Sequence, residues 1–160
     1  MRIVPMLMLV GAACGIVPSW AAGIFGLWKV HFDLSTGSRL SRENLTVRFE
    51  PHPKGEVFTL DRTDRDGRST TSSTILYLDN KPRDFQDFGC SGTQSSRRLD
   101  GQTVEILRTY VSGKSTRFVR RLSPQARELV LEITEQQPDG RHFERRLVLE
   151  QSGSGAMRPK

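Results

Sequence analysis

Residues 103–150 read TVEILRTYVSGKSTRFVRRLSPQARELVLEITEQQPDGRHFERRLVLE. Within this stretch Leu129, Leu131 and Ile133 alternate with Glu128, Glu132 and Thr134, and the flanking segments keep the same period of two. A two-residue period over about eight residues marks a half-buried β-strand, one face apolar and the other wet. Ser112-Gly113, Ser123-Pro124 and Asp139-Gly140 punctuate the run. These pairs supply the turn conformations that tight antiparallel hairpins require. The stretch therefore reads as four consecutive strands: Val104 to Val111, Arg117 to Leu122, Glu128 to Glu135 and His142 to Glu150.

Toward the N-terminus the pattern repeats. Gly26, Trp28, Val30 and Phe32 alternate with Lys29, His31 and Asp33, and Leu45, Val47 and Phe49 with Thr46, Arg48 and Glu50. Further strands are expected over Val57 to Thr63, Thr70 to Leu78, Asp84 to Phe88 and Gln94 to Leu99, with Asp66-Gly67 and Asp100-Gly101 as positive-φ turns. No stretch carries a convincing 3.6-residue apolar period, although Ser41 to Leu45 has room for one helical turn. The expectation is an all-β, antiparallel up-and-down meander of eight to ten strands. It hides its edges most easily by closing into a barrel, with an open meander or a two-sheet sandwich as alternatives. A membrane barrel is disfavoured, because Arg48, Glu50, Glu128, Glu132, Glu144 and Arg146 would face lipid.

The 160 residues divide into three parts. Residues 1–22 carry one early arginine, a long apolar run and small residues at the end, the pattern of a secretory leader cleaved near Ala21 or Ala22. Residues 23–150 form one domain, and 151–160, QSGSGAMRPK, read as a disordered tail. The expected compartment is periplasmic or secreted, in a bacterial-type cell. Cleavage removes Cys14 and leaves Cys90 alone, so no internal disulfide forms, and Cys90 reads as a small half-buried hydrophobe. With 36% hydrophobic and 26% charged residues in the full sequence, the chain reads as globular, with no membrane span expected in the mature part. The formal charge of +6 favours acidic partners, but the basic residues are spread along the strands, which argues against nucleic acid.

Catalysis finds little support. His31, His52 and His142 fall on polar strand phases or in a turn, no nucleophile elbow is present, and no metal-ligand spacing occurs. The segment from Asp61 to Arg68 interposes arginines among its aspartates and reads as a hairpin turn, not a calcium loop. Nothing calls for a cofactor.

The first strand GLWK (Gly26 to Lys29), the strand LTVRFEP, the hairpin TDRDGR, the segment YLDNKPRDF and the closing strand series together resemble the lipocalin-like group of small exported bacterial β-barrels. That resemblance covers most of the mature chain. It implies a barrel with Gly26 and Trp28 as structural residues, Trp28 packed across the closed end, and an apolar cavity toward the open end. The chain departs from secreted lipocalins in lacking paired cysteines and a clear C-terminal helix.

One constellation concerns ligand binding. On the inward phases of the last strands lie Arg108 and Tyr110, Phe118 and Arg120, and Phe143 and Arg145. A buried guanidinium needs a partner, and the acid of a small amphipathic or anionic ligand would supply one while the aromatic neighbours held its tail. The rivals are a non-catalytic envelope structural or interaction protein with a side-chain-filled barrel, and a barrel isomerase or cyclase built on Tyr110 beside Arg108. Oligomeric state does not follow from the sequence.

Overall fold

The computed structural model describes residues 23–33, 44–64, 66–87 and 89–152. The proposed leader and residues 153–160 of the tail lie outside this set, as do residues 41–43 of the possible helical turn. Ten antiparallel strands follow one another: β1 (Gly26–Asp33), β2 (Asn44–His52), β3 (Gly55–Thr63), β4 (Ser69–Leu76), β5 (Arg83–Asp87), β6 (Cys90–Arg98), β7 (Thr103–Tyr110), β8 (Ser115–Leu122), β9 (Glu128–Gln136) and β10 (His142–Ser152). There is no helix among the described residues.

The sheet order is β4-β3-β2-β1-β10-β9-β8-β7-β6-β5, so each strand bonds its sequence neighbour except at one place, and β1 closes onto β10. The result is a nearly closed barrel with a single seam between β4 and β5. β10 continues past the expected strand end, where Trp28 pairs with Gln151 and Leu27 with Ser152. The register shifts between Val30 and Phe32. A bulge at His31 thus interrupts the alternation expected through Phe32.

The turns follow from local chemistry. Asp64 accepts the backbone N–H groups of Asp66 and Arg68 at 2.9 Å, which fixes the β3–β4 hairpin with Gly67 at φ 78°. Gly113 and Gly140 take φ 83° and 84° at the β7–β8 and β9–β10 turns. Gly101 does not adopt a positive φ, contrary to expectation; Asp100 instead bends the β6–β7 turn by accepting the Gln102 N–H at 2.7 Å. Cys90 also departs from expectation. It is exposed, because it opens β6 directly after the Gly89 turn.

Successive connections alternate between the two ends of the barrel. The first end carries Ile24, the β2–β3, β6–β7 and β8–β9 turns and the β4–β5 connector. The core sits toward it: Trp28, Val47, Phe49, Phe58, Leu76, Val104, Ile106, Leu129, Leu131, Leu147 and Leu149 are buried in one cluster. The Trp28 indole N–H donates to the Ile24 carbonyl at 2.8 Å, so the ring closes this end with its polar atom satisfied.

The outer face is charged and cross-linked. Glu105 lies on the outward phase of β7 yet is buried, because Arg97 from β6 and Arg117 from β8 fold over it with Nε–O distances of 2.6 and 2.7 Å. Burial pushes its carboxyl up, but the hydrogen bonds from Arg117 and Arg97 outweigh this and leave it below the usual glutamate range. His31 and His142 are exposed beside Glu150 and Glu144, and the His52 ring accepts the Lys54 N–H within its turn.

Candidate functional site

The inner face changes chemistry along the barrel axis. At the Trp28 end the apolar cluster is joined by one ionic tie. Glu56, just after the β2–β3 turn, accepts from Arg120 of β8 through Oε2 and from Arg98 of β6 through Oε1 at 3.2 Å. Arg120 is 3% exposed, and its guanidinium also lies 4.3 Å from the Phe49 ring. Burial lowers the Arg120 pKa, and the Glu56 carboxylate partly offsets this. This cation already has an anion on its Nη2, while its Nη1 is buried without a hydrogen-bond partner among the described residues, and the pair spans the barrel from β3 to β8.

The other half is built differently. Arg108 is 3% exposed on β7, with its guanidinium carbon 4.9 Å from the Phe85 ring centre and 5.3 Å from that of Phe118. Its Nε donates to Gln94 Oε1 at 2.9 Å. Thr116 stands directly across the ladder from Arg108 and is 2% exposed. Its Oγ1 is buried with no hydrogen-bond partner among the described residues. Tyr110 meets Phe85 edge to face at 5.3 Å, across the side-chain-free position of Gly92 that pairs with both. The outcome is a polar floor of Arg108, Gln94 and Thr116 with aromatic walls, toward the end opposite Trp28.

The residues expected to bind a ligand therefore separate. Arg108, Tyr110 and Phe118 belong to this floor and wall. Arg120 does not: it lies four residues along β8 from Thr116, about 13 Å at strand rise. Phe143 is 51% exposed at the start of β10. Arg145 pairs with Ile133 and is half-buried, beyond the point where Asp33 of β1 meets Leu147. It lines a rim depression of about 560 Å³ with Arg117, Glu132, Glu144 and Arg146. The three guanidiniums share the inward phase but not one level, so they do not converge on one anion.

Gln94, Thr116 and Phe85 complete the floor and were not among the expected site residues. Strand β6, CSGTQSSRR, is polar on both phases, so no hydrophobic alternation marks Gln94 as inward. Pairing register supplies it: Gln94 is opposite Arg108. Among the described residues no group of three or more His, Cys, Asp or Glu could hold a metal ion, and no helix is long and apolar enough to cross a membrane.

No protein-family model and no curated protein sequence matches the chain. Solved structures do. A fatty acid binding protein of Schistosoma mansoni, in complex with arachidonic acid, superposes with a TM-score of 0.53 at 10% identity, over 82% of this chain and 97% of that one. A secretary abundant heat soluble (SAHS) protein of Ramazzottius varieornatus gives a TM-score of 0.55 at 10% identity, over 81% and 96%. At this identity the likeness is one of fold alone: the nearly closed, ten-stranded barrel of this chain superposes on these lipocalin-like β-barrels.

Proposed function

We propose that the chain is an exported, non-catalytic barrel that binds a small amphipathic anion in the half opposite Trp28. The ligand's acid rests on Arg108 and Thr116, and its apolar part lies against Phe85, Phe118 and Tyr110. The observation that carries this reading is the Thr116 hydroxyl, buried without a hydrogen-bond partner among the described residues and facing a buried guanidinium across one ladder pair. Buried polar atoms in native proteins are nearly always satisfied, so an unsatisfied hydroxyl beside a cation points to an acceptor supplied from outside the chain. The Schistosoma protein carries a fatty acid within the same architecture, which supports the class of ligand. The leader-like residues 1–22 support export to the periplasm or medium.

Native mass spectrometry of protein recovered from that compartment, with extraction of any passenger, gives the first test. Titration with the fluorescent anionic amphiphile 1-anilinonaphthalene-8-sulfonate gives the second. Charged hydrogen bonds contribute about 1.5–3 kcal/mol each, so Arg108→Gln should weaken binding by about 10- to 150-fold, while Arg120→Gln should act on stability before affinity. Equal affinity in the wild type and the folded Arg108→Gln variant would overturn the assignment. A second reading, a side-chain-filled envelope barrel, draws on the solid Trp28 half and its Glu56–Arg120 tie. An empty protein that ignores the amphiphile would favour it.

A further inference from the structure

From the seam between β4 and β5 we infer a second element of ligand handling: this seam is the ligand's way into the barrel, and Gln94 is its latch. The inference rests on the anion-binding reading above and adds the route.

Three observations meet at the seam. The first is a gap in the ladder. β4 and β5 are the two ends of the sheet order and do not hydrogen-bond each other. Their sequences suit edges, since β4 is almost wholly Ser and Thr, while β5 is five residues long and follows Pro82. The second is a cavity of about 330 Å³ at the gap, lined by Thr74, Tyr77, Lys81, Arg83, Gln94 and Ser96 among others. Its wall thus includes Gln94, the same side chain that holds Arg108 from inside. The third is backbone strain in the connector. Leu78 and Asn80 both take φ 60°, a conformation that a side chain as bulky as leucine rarely adopts.

That strain is held by β6 and not by β4. Leu78 N–H donates to Ser96 Oγ at 3.1 Å, Asn80 N–H donates to the Ser96 carbonyl at 2.8 Å, and Asp79 bridges to Arg97. The connector therefore stays with the β5–β6 side when the seam widens. Across the gap itself reaches the Gln94 side chain. Its Nε2 donates to Thr74 Oγ1 at 3.1 Å and to the Ile75 carbonyl at 3.4 Å, standing in for the missing ladder bonds. Its Oε1 meanwhile accepts from Arg108.

One amide thus joins the barrel's buried cation to the loose edge. An acid that has passed the opened seam reaches Arg108, and the Gln94 bonds to Thr74 and Ile75 re-form behind it. At the outer lip Lys81 and Arg83 face the arriving anion, with Arg83 kept in place by both Asp79 oxygens at 2.7 and 2.8 Å and by the Tyr77 ring at 3.9 Å.

A way in acts on rates and leaves the end states alone, and this separates it from the binding floor. Stopped-flow mixing of the full-length folded protein with 1-anilinonaphthalene-8-sulfonate reads both rate constants. Thr74→Val removes the latch's acceptor hydroxyl and keeps the Gln94–Arg108 bond. It should raise association and dissociation together by about fivefold, the worth of one ordinary hydrogen bond, with Kd unchanged within twofold. Ser73→Trp, at an exposed position on the cavity wall, should slow both without altering Kd. Arg108→Gln should move Kd mainly through dissociation. If the wild type binds and both seam variants keep wild-type rates, the ligand enters elsewhere and the seam inference falls while the binding reading stands. If the wild type does not bind the probe, both fall.

Discussion

Replacing Glu56 by glutamine should be among the most damaging single changes in the barrel. The carboxylate is buried and shared by Arg120, itself almost fully buried, and by Arg98. Glutamine keeps the shape but leaves the Arg120 charge in a low-dielectric interior without its anion. Breaking a buried pair by removing one partner costs about 3–5 kcal/mol. At about 3–5 °C per kcal/mol for a domain of this size, the midpoint should fall by about 10–20 °C. Urea unfolding followed by far-UV circular dichroism and by Trp28 emission measures the loss. The double variant Glu56→Leu with Arg120→Met removes both charges at similar volume, and it should recover most of the deficit or exceed the wild type by about 1–4 kcal/mol. Arg98 is partly exposed and turns to water in both variants. A single variant that loses less than about 1 kcal/mol would refute the idea of a buried tie. A double variant as unstable as the single one would show that shape, not charge, sets the cost.

Acid should act on the outer clamp. The Glu105 carboxyl sits below its ordinary value of 4.5, so its ionised form adds stability that is complete above about pH 4.5 and is lost as pH falls through the lower folded value. Glu105→Gln should lower stability at neutral pH and flatten the stability profile below pH 4.5; an unchanged acid limb would refute the clamp. Two glycines should respond unequally to alanine. At Gly55, φ 150°, a Cβ would lie 2.0 Å from the Leu76 carbonyl oxygen, so Gly55→Ala should cost several kcal/mol, at or beyond the usual upper range for point changes of about 4 kcal/mol. Gly67→Ala, φ 78° with nothing within 4 Å, should cost only about 1 kcal/mol, and equal effects in urea titration would contradict the packing at Gly55. Trp28→Phe keeps an aromatic plug but leaves the Ile24 carbonyl without its donor, an expected loss of about 1–3 kcal/mol by thermal unfolding; no loss would mean that the hydrogen bond is not limiting.

The strands were legible because hydrophobic alternation is a local signal. Leu129, Leu131 and Ile133, or Val47 and Phe49, declare their buried face without reference to a partner, and all ten expected strands are present. What local pattern does not encode is level along the barrel. Arg108 and Arg120 share a phase, so alternation placed them together, while the register sets them four residues apart. Glu56 follows a Pro-Lys-Gly turn and resembles turn polarity, yet its inward phase makes it the anion of the core. The seam was hidden for a related reason: the expected strand runs on to Leu78, but the chain leaves the ladder at Leu76 and turns left-handed at a leucine, a choice made by contacts with Ser96 and not by the residue's own preference.

The closure of β1 onto β10 bears on how the molecule folds. Eight of the nine strand pairs join sequence neighbours and can zip as soon as each hairpin emerges. The ninth sets Leu27 against Ser152 and must wait for the whole chain. Loop-closure entropy makes that last step the slow one. Until it occurs, Trp28 has only β2 to pack against, and two extra sheet edges, those of β1 and β10, stand open to solvent. The barrel should therefore pass through two separate curved sheets, β1 to β4 and β5 to β10, whose lifetime is set by a single long-range pairing. Joining the present ends and cutting the chain at the β4–β5 connector would move the late step to a seam the native ladder already leaves unbonded, making every remaining pair local and folding faster.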